Sequence, residues 1–404
     1  MRSTTIPIVI FVVATFLLTG HVACAADNAA DLYKRAMEVA EKMPENSYEL
    51  LYDFDSTVGN PLTAAQIAAA EAAQPVAKLL LEAERMEACD WKQKFTSPWD
   101  AEVVDGLGST RMVCRFIVLR AVHHGQQGRW KDAIDEAMAA WTMGRRLGKG
   151  RLAIHVLVQQ SIDGMFTANL AAAAPSMPAD ARRQLLNAID TLPQPESLKD
   201  GFDRDRVVVR DFLQDGFFKD IDGSMAQIVE SAKITHMFEQ MRRGLIEEKD
   251  QIPFDRTPFD AIGELAKNDP DKFRAHAKEM AASENELLKI FDVKPEETET
   301  FAKAWRGNLN AKNPLVKHLL EPVSETTVIL ARTSRRGEVM TTMLRAGLLY
   351  LDKGEEALTQ VREPGTGKAF ELVKTKSGFE LRSSFFKDAG EEPWSLPFGF
   401  SPAE

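Results

Sequence analysis

STRMVCRFIVLRAVHHGQQGRWKDAIDEAMAAWTMGRRL, residues 109–147, decides the fold. From Ser109 to His124 apolar side chains return every three to four residues, and Met112, Phe116, Leu119 and Ala121 are predicted to face inward, the period of an amphipathic helix. Gln126-Gln127-Gly128 is turn chemistry and allows only a tight connection. Trp130 to Leu147 resumes the helical period. Two helices joined by so short a link pack antiparallel, so the unit of this fold is a helix hairpin.

The pattern extends outward in both directions. Asp27 to Met43 reads as a helix with Leu32, Ala36, Val39, Ala40 and Met43 on one face, and Pro44 ends it. Thr63 with Gln66 has the spacing of a capping box at the head of an Ala-rich stretch running to Cys89. Pro75 must break or kink that stretch, because it removes a hydrogen bond and clashes with the preceding turn. Trp91 to Gly108 reads as a long loop. Arg151 to Ala174 and Ala179 to Leu192 are helical, separated by Pro175 and Pro178. After Gln194-Pro195 the texture changes. Residues 200–222 are dense in charge of both signs, with Arg206 and Arg210 on one helix face, and read as a solvated helix laced with salt bridges. Further helices are expected from Ser224 to Glu248 and over 258–267, 270–291, 296–311 and 323–352, with Pro270 and Pro295 in first turns.

The tail differs. Lys368 to Thr375 alternates with Phe370 and Leu372 on one side, Ser377-Gly378 turns, and Phe379, Leu381 and Ser383 alternate again. That is a β-hairpin. Glu391 to Glu404, with its prolines and glycines, reads as irregular. The fold class is therefore all-α: stacked antiparallel helix hairpins, an irregular solenoid or bundle, with a short C-terminal β-hairpin. The expected organisation is a leader over 1–25, a helical lobe over 26–193, a second over 194–360, and a turn, hairpin and irregular tail over 361–404.

The leader is a secretory signal peptide by its order of parts. Arg2 is the basic start, Ile6 to Leu18 the apolar core, and Ala23-Cys24-Ala25 the small-residue site, with cleavage between Ala25 and Ala26. Acylation at Cys24 is the competing reading, though His21 stands where a lipoprotein carries a Leu-like residue. An uncleaved anchor is the other, but the apolar run falls short of the roughly 18 residues a span requires. The mature chain is expected to be extracytoplasmic and soluble, with no transmembrane segment.

Charge excludes one class of partner. Loss of Arg2 with the leader takes the formal net charge from −10 to −11, and the pI is near 5.4. Nucleic acid is held largely by Lys and Arg on phosphates, so nucleic acid is not expected as a partner. In the mature chain Cys89 and Cys114 form an even pair in an oxidising compartment, at the end of one expected helix and the start of the next. A disulfide between them would add roughly 3–4 kcal/mol; two small buried thiols that never meet are the other reading.

Most catalytic chemistries lack their residues. There is no HExxH and no CxxC, and His123-His124 point about 100° apart on a helix, so no metal site is expected. Asp220-Ile221-Asp222-Gly223 starts like a calcium loop but has Met225 and Ser231 where Gly and Glu are needed. Gly365-Thr366-Gly367-Lys368 misses the phosphate-loop pattern at Arg362 and Ala369. No GxSxG elbow and no GxGxxG occur, and no cofactor is expected. Carboxylate pairs such as Glu84 and Glu87 carry little information among 60 acidic residues.

Two resemblances add to this reading. Gly128, Trp130, Ala133 and Ala140 fall where a tetratricopeptide unit places Gly, an aromatic, Ala and Ala, although no 34-residue repeat flanks them. Cys89-Asp90-Trp91, Arg111 through Gly128, and the closing Pro364-x-x-Gly367-Lys368-x-Phe370 and Gly378-Phe379-x-Leu381-x-Ser383 resemble a family of uncharacterised secreted bacterial helical proteins. Members end in a helix feeding a small hairpin, which also resembles the tail of pseudopilin-like modules. This chain lacks the Pro-rich insert many members carry there. The resemblance implies the all-helical fold and brings no activity or site residues.

The expected role is a non-catalytic scaffold or interaction module whose partner is another envelope protein, since helix-hairpin stacks present extended concave surfaces. The alternative is an extracytoplasmic, glycan-type hydrolase using a carboxylate pair in a helical cleft. A buried acid pair with perturbed titration would favour the enzyme. An apolar groove without titratable groups would favour binding. Trp130 is expected to be a core anchor of its hairpin.

Overall fold

The computed structural model describes residues 28–44, 50–51, 60–93, 95, 106–242, 254–294, 297–310, 312–385 and 392–399. The cleavage site at Ala25 and Ala26 lies outside them, as does most of the loop expected from Trp91 to Gly108.

Helix α1 (Ala29–Glu41) starts where Asn28 accepts a hydrogen bond from the Ala30 N–H, and it buries Leu32, Tyr33, Ala36, Met37 and Ala40. Helix α2 (Ala64–Ala72) opens on the expected capping box: the Gln66 N–H donates to Thr63 Oγ1 at 3.2 Å, and the Thr63 N–H to Gln66 Oε1 at 2.9 Å. Pro75 does break the stretch. Helix α3 (Gln74–Glu84) begins anew with Pro75 in its first turn, where a missing N–H is harmless.

Helices α4 (Leu107–Gln126) and α5 (Trp130–Gly148) form the predicted hairpin. Gly128 turns the chain at φ +72°, and the Arg129 N–H closes back on the His124 carbonyl at 2.9 Å. Helix α6 (Ala153–Ala173) returns against α5, followed by α7 (Ala179–Thr191). The α5–α6 approach demands a small residue, since a Cβ on Gly144 would stand 2.7 Å from Ile162. Helix α4 is buried on almost every side, because α1, α2, α5 and α6 pack around it. The single inward face read from the sequence was too narrow: Val113, Cys114, Ile117, Val118 and Val122 are buried, while Met112 and Ala121 are half-buried.

The second half comprises α8 (Leu198–Asp211), α9 (Ile221–Arg242), α10 (Thr257–Asn268), α11 (Pro270–Leu288), α12 (Thr298–Gly307), α13 (Glu321–Thr333), α14 (Arg336–Lys353) and the short α15 (Glu355–Leu358). Wide π turns at Phe212–Gly216 and Val316–Leu320 lead into the elements after them. The helix expected over 323–352 is two. Thr333 and Ser334 donate their hydroxyls to the Ile329 and Ala331 carbonyls at 3.0 and 2.8 Å, which competes with the helix ladder and ends α13.

Apolar residues gather in two main cores and a seam. The first core runs through α1–α7 and is completed by Val339 to Leu348 of α14 and by the sheet. The second is aromatic, with Phe217 stacked on Phe273 at 4.8 Å, and joins α9, α10, α11 and the two π turns. The seam brings Ala153 and Val156 of α6 against Leu198, Leu288, Phe291, Val328 and Ala331. Segment 194–360 thus divides between the cores, since α14 packs on α6.

Strands β1 (Glu371–Thr375) and β2 (Gly378–Arg382) form the predicted hairpin about Lys376-Ser377, in the register Leu372 opposite Leu381. A third strand, β3 (Ser395–Gly399), pairs with β2 where the sequence read as irregular. Leu396 and Phe398 alternate inward, and Pro397 sits on an edge strand, which tolerates the missing donor. Phe398 stacks on Phe379 at 4.5 Å and covers Gly347 of α14, where a Cβ would stand 2.0 Å from the ring.

Candidate functional site

Among the described residues most buried charge is paired and holds helices together. Arg120 of α4 reaches Glu136 of α5 with two nitrogens at 2.8 and 2.7 Å and donates to the Ala70 carbonyl at the end of α2 at 2.7 Å. Burial alone would raise the Glu136 carboxyl, but hydrogen bonds from His124 and Arg120 outweigh it and hold the pKa below the usual range. Arg145 of α5 pairs with Asp163 of α6 at 2.6 Å, and the Trp141 indole donates to the same oxygen at 2.6 Å. Burial raises the Asp163 pKa against the opposing charge of Arg145. Arg146 donates to the Ala83 and Met86 carbonyls at 3.1 and 2.8 Å, fastening the end of α3 to α5.

The sequence-level candidates fall into structural roles. His124 approaches Glu136 at 3.3 Å, and His123 stands 3.9 Å from Glu71. The Asp220 carboxylate accepts from the Gly223 N–H at 2.9 Å, and Asp222 pairs with Lys267 at 2.7 Å. Thr366 donates to Glu363 at 2.6 Å in the turn before the hairpin. Among the described residues no group of three His, Cys, Asp or Glu could hold a metal ion.

Cys89 and Cys114 are free thiols, the second of the two readings open from the sequence. Cys114 lies in the interior of α4 with its Sγ 3.9 Å from the Ala140 carbonyl of α5. Cys89 faces Arg146, Lys149 and Arg151, at and just beyond the far end of α5. Six residues along α5, from Ala140 to Arg146, correspond to roughly 9 Å of helix. Burial raises both thiol pKa values, which makes them poor nucleophiles.

Trp130 packs against the first core from its margin. Its ring is half-buried and lies over Gly125, where a Cβ would be 2.9 Å away. It borders a narrow apolar crevice, open to solvent, between α4, α5 and α6, with Phe166, Met177 and the amide Asn169 among its walls. The fully buried tryptophan of the hairpin is Trp141.

A second concentration of polar groups lies at the seam, where the start of α6 meets α8, and α8 meets α11. Gly150 turns the chain at φ +70°, and Arg151 is driven inward. The Ala153 N–H, first in α6, donates to Asp205 of α8 at 3.2 Å, and Arg204 donates to the Arg151 carbonyl at 2.8 Å and pairs with Glu196. Burial pushes the Asp205 carboxyl up to about 7, opposed by the Ala153 hydrogen bond and Arg204. Burial, then the charge of Asp205, pushes Glu284 of α11 up to about 7, opposed by Arg206. His155, wholly buried, is pushed down to about 3 by burial and by the Arg151 charge, opposed by the Leu152 carbonyl. Two acids poised near neutrality can exchange protons with a bound molecule.

The sequence placed none of these together, because residues 151–155, 205 and 284 meet only through packing. One signal existed. Phe202, Asp205 and Val209 stand at i, i+3 and i+7 of α8, and both apolar members pack inward, so Asp205 is an acid on an apolar face. Comparison with protein-family models, with curated proteins and with solved structures finds no match to this chain.

Proposed function

We propose that the chain is an exported, non-catalytic helical protein that serves as a binding scaffold for another envelope protein. Export is read from the leader. The observation that carries the scaffold role is where the buried charge goes. Arg120–Glu136, Arg145–Asp163 and the Arg146 carbonyl clamp tie α2 through α6 into one pre-organised body. Pre-organisation reduces the entropy lost on association, which is what a docking platform requires. The test is cross-linking in the native cell envelope with the full mature chain as bait, combined with N-terminal sequencing. The reading expects an amino terminus at Ala26 and one stoichiometric protein partner. A chain retained in the cytoplasm, or recovered without cross-linked protein, refutes it.

A second reading is favoured by Asp205 and Glu284, two acids both raised to about 7 at one helix–helix contact. A general acid and a general base need pKa values of this kind. The reading makes the chain a glycan-type hydrolase. Asp205→Asn and Glu284→Gln would each then abolish sugar release from cell-wall polymer, and release that is unchanged in either variant, or absent from the wild type, refutes it.

A further inference from the structure

Arg151 breaks the pattern set by the other interior arginines. It is 6 % exposed, yet it makes no ion pair among the described residues, and its Nε is buried without a hydrogen-bond partner. Its guanidinium carbon lies 5.4 Å from the Trp91 ring centroid and 5.7 Å from that of Phe95. His155, one helical turn on, is fully buried, and neither ring nitrogen makes a well-formed hydrogen bond, the Leu152 carbonyl being the backbone acceptor beside the ring. Its ring lies 5.4 Å from that of Phe95. The acids of the seam are engaged elsewhere: Asp205 with the Ala153 N–H, Glu196 with Arg204, and Asp203 with Arg206, while Glu284 faces Asp205 and Arg206. The group facing Arg151 is the Cys89 thiol, which burial keeps protonated.

Buried arginines are almost never left unpaired, and buried polar atoms without partners call for an explanation. Three such atoms on two neighbouring residues, beside a cation held against aromatic rings, mark a place where an anion completes the structure. We propose that Arg151 and His155 form a binding site for a small carboxylate. Aromatic rings lie against the guanidinium, so its edge is what an incoming group meets, and Nε with a terminal nitrogen presents the fork that matches a planar carboxylate. Neutral His155 offers one N–H to the same anion and keeps an acceptor on its other nitrogen. Trp91, Phe95 and the His155 ring surround this point with apolar surface, so the acid carries an apolar or aromatic body. The site stands whether the rest of the chain is a scaffold or a hydrolase.

The test uses the full mature chain with benzoate, acetate and inorganic phosphate as probes, read by calorimetry and by indole fluorescence. Benzoate is expected to bind saturably at one site, more tightly than acetate, and to raise the melting temperature. Arg151→Gln is expected to weaken it at least tenfold, Arg151→Lys comparably because the fork is lost, and His155→Phe several-fold. In the absence of ligand, Arg151→Met is expected to melt at or above the wild type, because it removes an uncompensated charge. A lower melting temperature makes the arginine a structural support and overturns the proposal. It is also overturned if no probe binds saturably, or if Arg151→Gln binds benzoate as the wild type does. Phosphate binding more tightly than benzoate through Arg151 overturns the carboxylate assignment.

Discussion

Arg145→Met isolates the buried pair at the centre of the scaffold. Arg145 and Asp163 meet at 2.6 Å with side chains 4 % and 2 % exposed. At an effective dielectric of about 20 their attraction is roughly 6 kcal/mol, which offsets a desolvation cost of several kcal/mol per ion. Methionine fills most of the volume but leaves Asp163 with the Trp141 indole as its remaining donor. The folded variant then avoids a lone buried charge by protonating Asp163. Starting from an unperturbed value of 3.8, a proton taken up at pH 7 costs about 1.4 kcal/mol per pH unit, or roughly 4 kcal/mol. At pH 5 the same step costs about 1.6 kcal/mol. The folded variant binds more protons than its unfolded chain, so acid favours folding and the deficit shrinks as pH falls. Asp163→Asn is the converse: Arg145 cannot shed its charge, so that deficit does not relax in acid. Urea unfolding at pH 7 and pH 5 reads both. A deficit in Arg145→Met below about 1 kcal/mol at pH 7, or one equal at both pH values, refutes this account.

Asp205 and Glu284 have folded pKa values raised to about 7, so they contribute stability that is full below about 4 and is lost as pH rises through 7. The double variant Asp205→Asn with Glu284→Gln should flatten the wild-type loss of stability between pH 4 and pH 7, measured by thermal melts across that range. Gly347→Ala drives a methyl group into the Phe398 ring and should cost about 1–3 kcal/mol, with β3 released first in hydrogen exchange. Thr63→Ala removes the α2 cap and should cost about 1 kcal/mol in denaturant unfolding.

Much of the fold was legible because its signals are local. The Thr63–Gln66 cap, the Pro75 break, the Gly128 turn and the β1–β2 hairpin each depend on a few neighbouring residues, and each stands where the sequence put it. Strand β3 was not legible, because its pairing rests on Phe379 and Gly347, far away in the chain. The α13–α14 break was missed because two hydroxyls bonding back to carbonyls look the same in sequence as hydroxyls facing water.

What the sequence by itself determined is the class: helical periods, their punctuation by Pro and Gly, and an alternating tail are short-range properties of the chain. Which charges went inside was decided only by tertiary packing. Residues 200–222 read as a solvated, salt-bridged helix, yet Asp205 caps the start of α6 and nears Glu284 from 79 residues away. Arg151 and His155 carry no motif at all, and their unpartnered nitrogens exist only because α6, the segment at Trp91 and Phe95, and α8 close over one point. Burial is a sum over neighbours distant in sequence, and a residue's cost or use in the interior depends on that sum rather than on its own type.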